Sequence, residues 1–257
     1  EIMNQVIEQM KNRRSVRGFS GESVKDEDLK EILVAAQQAP SSVNGEQVSL
    51  VVIRDKDKIA KIAELAGGQP QVAGADIFIL VTIDFYRSTY AMKKEGKQNV
   101  IPMSAEGILV GAVDGGIMLN ALQTAAESFG YGTTAIGGIR RNPDKMVELL
   151  ELPEGTFPLV GTTIGVPTEE KPSFVKPRVP LNSFAHTEKY DKVATEKGVD
   201  EYDLVLRKWW DDLGMTQMGN YSQDVSNYYQ TIYFPTVAAN LRKQGFEFQD
   251  ELRFFVN

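Results

Sequence analysis

Two separated groups of basic residues stand out in a chain whose formal net charge is −7. The first group combines guanidinium forks with a serine hydroxyl, and its members are Arg13, Arg14, Ser15 and Arg17. The second is Lys176 with Arg178, which alternation along an extended segment places on one side. Charge-assisted donors of this kind suit a dianionic phosphate. If the fold joins the two groups they form a phosphate cage, and otherwise they are a solvated basic surface.

Polar loops supply a second kind of chemistry, hydrogen bonding to a flat heterocycle. The segment PSSVNGEQ carries the hydroxyl groups of Ser41 and Ser42 and the amide of Asn44, and Gln69 follows a glycine pair. The segment AIGGIR, which begins at Ala135, offers backbone N–H groups. A planar ring with a polar rim needs such donors and acceptors. Each segment alone is also ordinary loop chemistry.

Other catalytic patterns are weaker. The sequence GYGTTA fits a dinucleotide fingerprint, but a helical pattern precedes it and a strand-like one follows, which is the wrong order for that motif. His186 is the only histidine, so a histidine-based triad or metal site has no partner residues, and a surface or capping role is expected. Nothing in their spacing selects Asp84, Glu106 and Asp114 as a catalytic carboxylate pair.

Composition narrows the class of protein. An apolar fraction of 42% and a charged fraction of 25% are typical of a globular protein, and the acidic balance argues against nucleic-acid or anionic-membrane partners. No cysteine is present, which excludes thiolate catalysis and cysteine-held metals. The N-terminal residues lack a signal-peptide pattern, and the apolar run IFILVTI is too short to span a bilayer. These features predict a cytoplasmic protein.

Hydrophobic periodicity predicts the elements that must position these residues. Helices are expected near residues 2–10, 25–40, 57–68, 104–128, 142–152, 203–213 and 226–245. Strands are expected at 49–53, 76–84 and 157–167, with a short one inside 130–143. The stretch YRSTYAMKKEGKQN is predicted to be an exposed loop, and Asn142 is expected to cap the helix after it. We expect one domain over 1–257, with a helical extension over about 182–257.

The predicted helix 104–128 is apolar or small on nearly every face, which is typical of a helix buried all round. Its glycines Gly111, Gly115 and Gly116 each lower helix propensity by about 1 kcal/mol. Close approach of another backbone is the usual compensation, and a dimer interface is one candidate for it.

Taken in order, these segments resemble the nitroreductase superfamily, in particular its branch of NADPH-dependent nitroreductases and flavin reductases. The resemblance rests on the ordered motifs RRSVRGFS, APSSVNGEQVSLVVI, LAGGQPQVAGADIFILVTIDF, LVGAVDGGIMLNALQTAAESFGYGTTAIGGIRRNP, FPLVGTTIGVP and KPRVP. It implies an α+β fold, with a mixed sheet flanked by helices in an intertwined homodimer that binds FMN at its interface.

The resemblance also implies roles for individual residues. Phosphate and polar-rim contacts to FMN would come from Arg13, Arg14, Ser15, Arg17, Lys176 and Arg178. Contacts along the ring would come from Ser41, Ser42, Asn44, Gln69, Ala135, Ile136, Gly137 and Gly138, the first three from the partner subunit. No side chain is implied as a catalytic acid or base, and no metal is implied.

The activity implied is ping-pong, two-electron reduction of nitroaromatics, quinones or free flavins by NADPH or NADH. An FMN-binding carrier or sensor without turnover is the alternative, and a phosphate-binding structural protein is a third. In this branch, arginines aligned with MTQMGNYSQD pair with the 2′-phosphate of NADPH. Here Gln217 and Gln223 stand in their place, while Arg140 and Arg141 are alternative cations, so the donor preference stays open.

Overall fold

A computed structural model describes residues 4–251, so Ile2 of the first predicted helix lies outside the described residues. The chain divides into two compact units. The first runs to Ser173 and resumes at Phe234, and the second is Phe174–Tyr233. A single domain with a helical extension from about residue 182 stays a prediction.

The described residues form eleven α-helices and four strands. The helices are α1 (Gln5–Lys11), α2 (Asp26–Gln37), α3 (Lys56–Leu65), α4 (Pro70–Ala73), α5 (Tyr86–Lys94), α6 (Ala105–Ser128), α7 (Pro143–Leu150), α8 (Leu181–Phe184), α9 (Lys192–Asp212), α10 (Tyr221–Tyr229) and α11 (Val237–Lys243). The strands are β1 (Val48–Ile53), β2 (Ile77–Asp84), β3 (Gly132–Ile136) and β4 (Thr156–Gly165). Short 3-10 turns cover Ser42–Asn44, Ile101–Met103 and Gly138–Arg141.

The sheet of the first unit has the strand order β1–β2–β4–β3, and all three pairings are antiparallel. This confirms the predicted α+β class. A mixed sheet was expected, but within the described residues no parallel neighbour joins these four strands.

Helices cover both faces of this sheet, and the alternation of side chains along β2 explains why. Phe78 and Leu80 pack into a core with residues of α3 and α7. Ile77, Ile79 and Val81 point the opposite way, into a core with residues of α2 and α6. Every residue of β2 is buried, as expected for a central strand packed on both sides.

The long helix α6 departs from its predicted environment. In the single chain Leu109 is 60% exposed and Val113 is 58% exposed, so one chain alone does not bury α6 on every side. The glycines also have different neighbours from those expected. A Cβ at Gly111 would lie 2.6 Å from Ile83, whereas Gly116 has open space around it. Gly111 therefore lets α6 approach the protein's own sheet.

Length and composition would allow α6 to cross a bilayer, and it is the one helix among residues 4–251 that meets these criteria. The core helix of a water-soluble protein can meet them as well. One face of α6 packs into the core through Leu122 and Ala126.

One local prediction was wrong, and a second was confirmed in position only. Residues 86–94 form the helix α5, not a loop. Its sequence is predominantly polar and none of its residues is buried, and Asp84, just before it, accepts from the backbone N–H of Tyr86 at 2.9 Å. Asn142 occupies the capping position of α7 without a side-chain cap, since its amide donates to the carbonyl oxygen of Leu65.

The second unit is organised around α9, a helix of 21 residues. Gly198 on α9 lets Ser183 of α8 approach closely, since an added Cβ would overlap that side chain. Tyr202 donates its hydroxyl to the carbonyl oxygen of Pro177, which ties the preceding extended segment to α9. The helical stretches predicted over 226–245 belong to two helices, since α10 ends at Tyr229 and α11 begins only after Pro235.

Candidate functional site

The first basic group lies beside the start of β3. Val16 donates its backbone N–H to the carbonyl oxygen of Thr133 at 2.9 Å, and the Thr134 hydroxyl donates to the carbonyl oxygen of Val16. Val16 is buried whereas its neighbour Arg17 is exposed. The backbone pairing therefore fixes the segment Arg13–Arg17 against the sheet and leaves guanidinium groups at the surface.

Glu127 at the end of α6 is the acidic neighbour of this basic segment. It accepts a hydrogen bond from the Thr133 hydroxyl at 3.0 Å. Burial raises the pKa of the Glu127 carboxyl, and the hydrogen bond from Thr133 and the charges of Arg13 and Arg14 offset part of that rise. Arg14 also donates to the Ser173 hydroxyl at 3.0 Å. The two arginines thus share one electrostatic environment with a carboxylate that sequence reasoning did not select.

The opposite end of β3 carries polar groups of a different kind. A Cβ at Gly138 would lie 2.5 Å from the amide nitrogen of Gln69 and 2.7 Å from the carbonyl oxygen of Ala66. Glycine is therefore required for this close approach. The Gln69 amide donates to the carbonyl oxygen of Ala66 at 3.0 Å, and its oxygen accepts from Gln71 at 2.6 Å.

These contacts place cations at one end of β3 and amide groups at the other. The five residues of β3 extend over about 17 Å. Along them Ala135 is exposed and Ile136 is buried, and Gly137 follows the strand. The structure therefore brings the predicted group Arg13–Arg17 and the predicted ring contacts Gln69 and Ala135–Gly138 into one elongated region. An elongated ligand with a phosphate at one end and a polar ring at the other has the matching chemistry.

The predicted residues Ser41, Ser42 and Asn44 lie elsewhere in the same unit, in a tight loop that includes a 3-10 turn. Asp114 of α6 accepts from the backbone N–H of Ser42 at 3.1 Å. Asp114 and Glu127 are thirteen residues apart on one helix, a rise of about 20 Å. Within one chain, the loop and the basic segment are thus held at well-separated positions along α6.

An open pocket of about 860 Å³ adjoins this loop. Its wall includes Ser41, Asn44, Asp114, Arg87 and Met118. The pocket combines hydroxyl, amide and charged groups with the apolar surface of α2 and β1.

The second basic group belongs to the second unit. Lys176 and Arg178 are both exposed. The Lys176 ammonium lies 5.4 Å from the centroid of the Trp210 ring, a cation–π contact within that unit. The phosphate cage formed with the first group stays a prediction.

The two alternative cations, Arg140 and Arg141, have different surroundings. Arg140 donates to the carbonyl oxygen of Leu159, and its guanidinium lies 6.0 Å from the centroid of the Phe234 ring. Arg141 is exposed and lies beside Gly67. Arg140 therefore has a structural role, whereas the Arg141 side chain faces solvent.

Gln217 and Gln223 line one open pocket of about 900 Å³ in the second unit. Gln223 already completes a capping box, since its oxygen accepts from the backbone N–H of Asn220 at 2.9 Å. Arg207 also lines this pocket, but its guanidinium donates to the carbonyl oxygens of Met215 and Met218.

Two residues that no sequence pattern selected for catalysis, Asp84 and His186, have structural roles. Asp84 caps α5 and accepts from the Ser49 hydroxyl at 2.5 Å. His186 contacts Tyr190, with ring centroids 4.5 Å apart and ring planes tilted by 46°, next to the start of α9. Asp114 was not selected for the site, although a lone carboxylate inside an apolar helix is a recognisable signal of a buried polar contact.

Comparison with known proteins identifies the family. Residues 10–166 match the model of the nitroreductase family, and residues 176–249 match that of the nitroreductase family C-terminal domain. An FMN reductase [NAD(P)H] from Bacillus subtilis is 40% identical over 250 residues, covering 95% of this chain and 99% of the relative.

Solved structures share the same fold. The hypothetical oxidoreductase YcnD from Bacillus subtilis has a TM-score of 0.92 at 39% identity, covering 96% of this chain and 99% of that one. The NADPH:FMN oxidoreductase from Vibrio harveyi, complexed with NAD+, has a TM-score of 0.83 at 31% identity, covering 94% of this chain and 98% of that one. The resemblance inferred from ordered motifs is confirmed: the chain belongs to the nitroreductase family.

Proposed function

We propose that the protein is an FMN-dependent NAD(P)H oxidoreductase that reduces small-molecule acceptors. The observation that carries this proposal is the arrangement along β3. The cationic segment Arg13–Arg17 lies at one end, held by the Val16–Thr133 hydrogen bond, and Gln69 with Gly138 lies at the other. The names of the relatives support the same activity.

The donor set fits FMN. Arg13, Arg14 and Arg17 with Ser15 would hold the phosphate, and Lys176 with Arg178 would complete its charge neutralisation. Gln69 and the backbone of Ala135–Gly138 would bind the polar edge of the ring, and the glycines leave the backbone accessible there. When bound, FMN supplies the two-electron carrier, taking a hydride from the nicotinamide and passing electrons to the acceptor.

The side chains act by binding and orientation. No acid or base is needed at a fixed position for hydride transfer, so the protein's contribution is to align the donor and later the acceptor over one face of the ring. Sequential use of one face implies ping-pong kinetics. A cation near the pyrimidine edge would stabilise the negative charge that develops on reduction.

We infer that the working form is a homodimer. Leu109, Val113 and Ile117 form an exposed apolar stripe along α6 at helical spacing. An apolar stripe of this kind favours a protein interface. The separation of about 20 Å between Asp114 and Glu127 supports the same conclusion, since the Ser41–Asn44 loop would then serve the flavin of the partner subunit.

The donor site is proposed to accept NADH as well as NADPH. The pocket lined by Gln217 and Gln223 has neutral amides and the carboxylate of Asp224, while Arg207 is already hydrogen bonded. The 2′-phosphate of NADPH therefore gains little binding free energy in this pocket.

Free flavin is the acceptor that the relatives' names favour, and nitroaromatics and quinones are further candidates. The lack of cysteine and the use of reduced nicotinamides fit a cytoplasmic enzyme.

Steady-state kinetics test this proposal. With free FMN as acceptor, we expect oxidation of both nicotinamides, with kcat/KM values that differ by less than about tenfold, equivalent to about 1.4 kcal/mol. A stronger preference for NADPH would assign the 2′-phosphate to another cation, with Arg141 the first to replace. Bound FMN that neither nicotinamide reduces would favour the alternative, a carrier or sensor without turnover.

A further inference from the structure

The loop from Ser41 to Gln47 has an unusual backbone. Val43, Asn44 and Glu46 all have φ values between 50° and 53°, in the left-handed region that residues other than glycine rarely adopt. Val43 is β-branched, which makes this conformation still less favourable. Its side chain is 95% exposed, so packing of that side chain does not stabilise the loop. Contacts elsewhere must hold this conformation.

Asp114 supplies the central contact. Its side-chain oxygen Oδ2 accepts from the backbone N–H of Ser42 at 3.1 Å and from the Gln47 amide at 2.5 Å. The same amide donates to the carbonyl oxygen of Ser42 at 3.2 Å. Asp114 is only 5% exposed and Gln47 only 3%, so water cannot readily replace these hydrogen bonds, and their loss costs free energy.

A second, weaker attachment holds the far end of the loop. Arg87 of α5 donates to the carbonyl oxygen of Glu46, and the backbone N–H of Glu46 donates to the Ser41 hydroxyl at 3.3 Å. Arg87 is half exposed, with a side-chain accessibility of 51%. The buried carboxylate therefore has the stronger hold on the strained residues.

We propose that Asp114 is a positioning residue for flavin binding, a role that rests on the proposed function. One carboxylate oxygen fixes both sides of the loop, so that Ser41, Ser42 and Asn44 meet the ring already ordered. Asp114 adjoins Val113 of the exposed stripe on α6. The loop geometry is thereby tied to the helix that we assign to the dimer interface.

The test compares three variants as FMN-free protein titrated with FMN. Asp114→Ala removes both hydrogen bonds, and we expect FMN to bind about tenfold more weakly, the scale of one charge-assisted bond. Asp114→Asn keeps an acceptor oxygen and should bind FMN within about threefold of the parent protein. Gln123→Ala is the matched control, a buried polar residue of α6 that bonds to Thr162 and not to the loop. It should lower the melting temperature but leave FMN affinity within about threefold.

Amide hydrogen exchange of residues 42–47 in the FMN-free protein gives an independent readout. We expect about tenfold faster exchange in Asp114→Ala than in Gln123→Ala. If Asp114→Ala does not fold, Gln47→Leu removes one of the same two bonds and should weaken FMN binding in the same direction.

Parent-like FMN affinity and exchange in Asp114→Ala would overturn the positioning role, and so would an equal loss of affinity in Gln123→Ala. A parent protein that binds no FMN at all would instead defeat the proposed function. In that case the exchange experiment still decides whether Asp114 holds the loop.

Discussion

Glu127 and Arg14 lie in one electrostatic environment at the end of α6, where the arginine charge offsets part of the burial-induced rise in the pKa of the carboxyl group. A carboxylate beside cations that we assign to a phosphate is a competing partner for them. The carboxylate and the phosphate therefore compete for the same arginines.

Glu127→Gln should tighten FMN binding by about threefold to tenfold, because it removes a negative charge near the phosphate cations. Isothermal titration at low salt measures this effect, and Glu106→Gln at the exposed start of α6 is the control. Unchanged or weaker affinity in Glu127→Gln would mean that Arg13 and Arg14 do not face the phosphate.

The same substitution should alter the dependence of stability on pH. Because the pKa of Glu127 is raised in the folded state from its ordinary value of 4.5, the unfolded chain ionises first as pH rises. The parent protein should therefore lose stability as pH increases above about 4.5, relative to Glu127→Gln. In thermal melts of the FMN-free proteins between pH 4 and pH 7, the melting temperature of the variant should rise relative to that of the parent as pH increases. A difference in melting temperature that does not change with pH would contradict a raised pKa at Glu127.

Arg178→Ala should weaken FMN binding while leaving the FMN-free fold intact, because it removes one predicted phosphate partner on an exposed segment. A loss of about 1.5–3 kcal/mol in binding free energy is the scale of one charge-assisted hydrogen bond. Fluorescence titration with FMN measures it, with riboflavin as the matched ligand that lacks the phosphate. An equal loss of affinity for both ligands would argue against a phosphate contact.

Asp76 stabilises the fold through a set of polar contacts. It accepts from the Val24 N–H at 2.8 Å and pairs with Arg54 at 2.9 Å and Lys56 at 3.0 Å. Burial alone would raise the pKa of Asp76, but these hydrogen bonds and charges outweigh it and hold the pKa below its ordinary value of 3.8. Asp76→Asn should therefore cost about 2–3 kcal/mol in the free energy of unfolding at pH 7.

The stabilisation by ionised Asp76 is present at pH values above its ordinary pKa of 3.8 and disappears as pH falls through its lowered folded-state pKa. Asp26→Asn is the matched control, since Asp26 pairs with the same Arg54 but has a side chain 94% exposed. Its cost should stay within about 0.5 kcal/mol, as for other exposed pairs. Equal costs for the two substitutions in urea unfolding would contradict the role given to Asp76.

Val113→Asp should separate the proposed dimer into monomers, since it places a charge in the exposed apolar stripe of α6. FMN binding should fall with it, because the Ser41–Asn44 loop would no longer reach a partner's flavin. Sedimentation measures the oligomeric state, and Val113→Ala, which keeps the stripe neutral, should remain dimeric. A parent protein that is monomeric while binding FMN fully would refute the shared site.

Local patterns predicted the parts of the fold that have strong hydrophobic signals. The buried strand β2 and the helix α6 are long and apolar, so both were found close to their observed bounds. The helix α5 was missed because its sequence is predominantly polar and none of its residues is buried. The resemblance correctly identified the family from ordered motifs.

The contacts inside the site could not be predicted in the same way. Asp114 meets Ser42 across 72 residues, and Glu127 attracts Arg13 and Arg14 from the far end of the chain's longest helix. Such pairs depend on how helices pack on the sheet, and the spacing within one sequence does not encode that packing directly. The exposed face of α6 was misjudged for the same reason, since a stripe that a partner could cover has the composition of a core.

Anaerobic reduction of the FMN-loaded protein shows whether bound flavin carries electrons from nicotinamide to acceptor. We predict that one equivalent of NADPH or NADH bleaches the visible flavin absorbance, and that a quinone without absorbance in that band, added afterwards, restores it by accepting two electrons. A protein that stays colourless and shows no spectral change with FMN, or one whose bound flavin neither nicotinamide bleaches, would contradict the account.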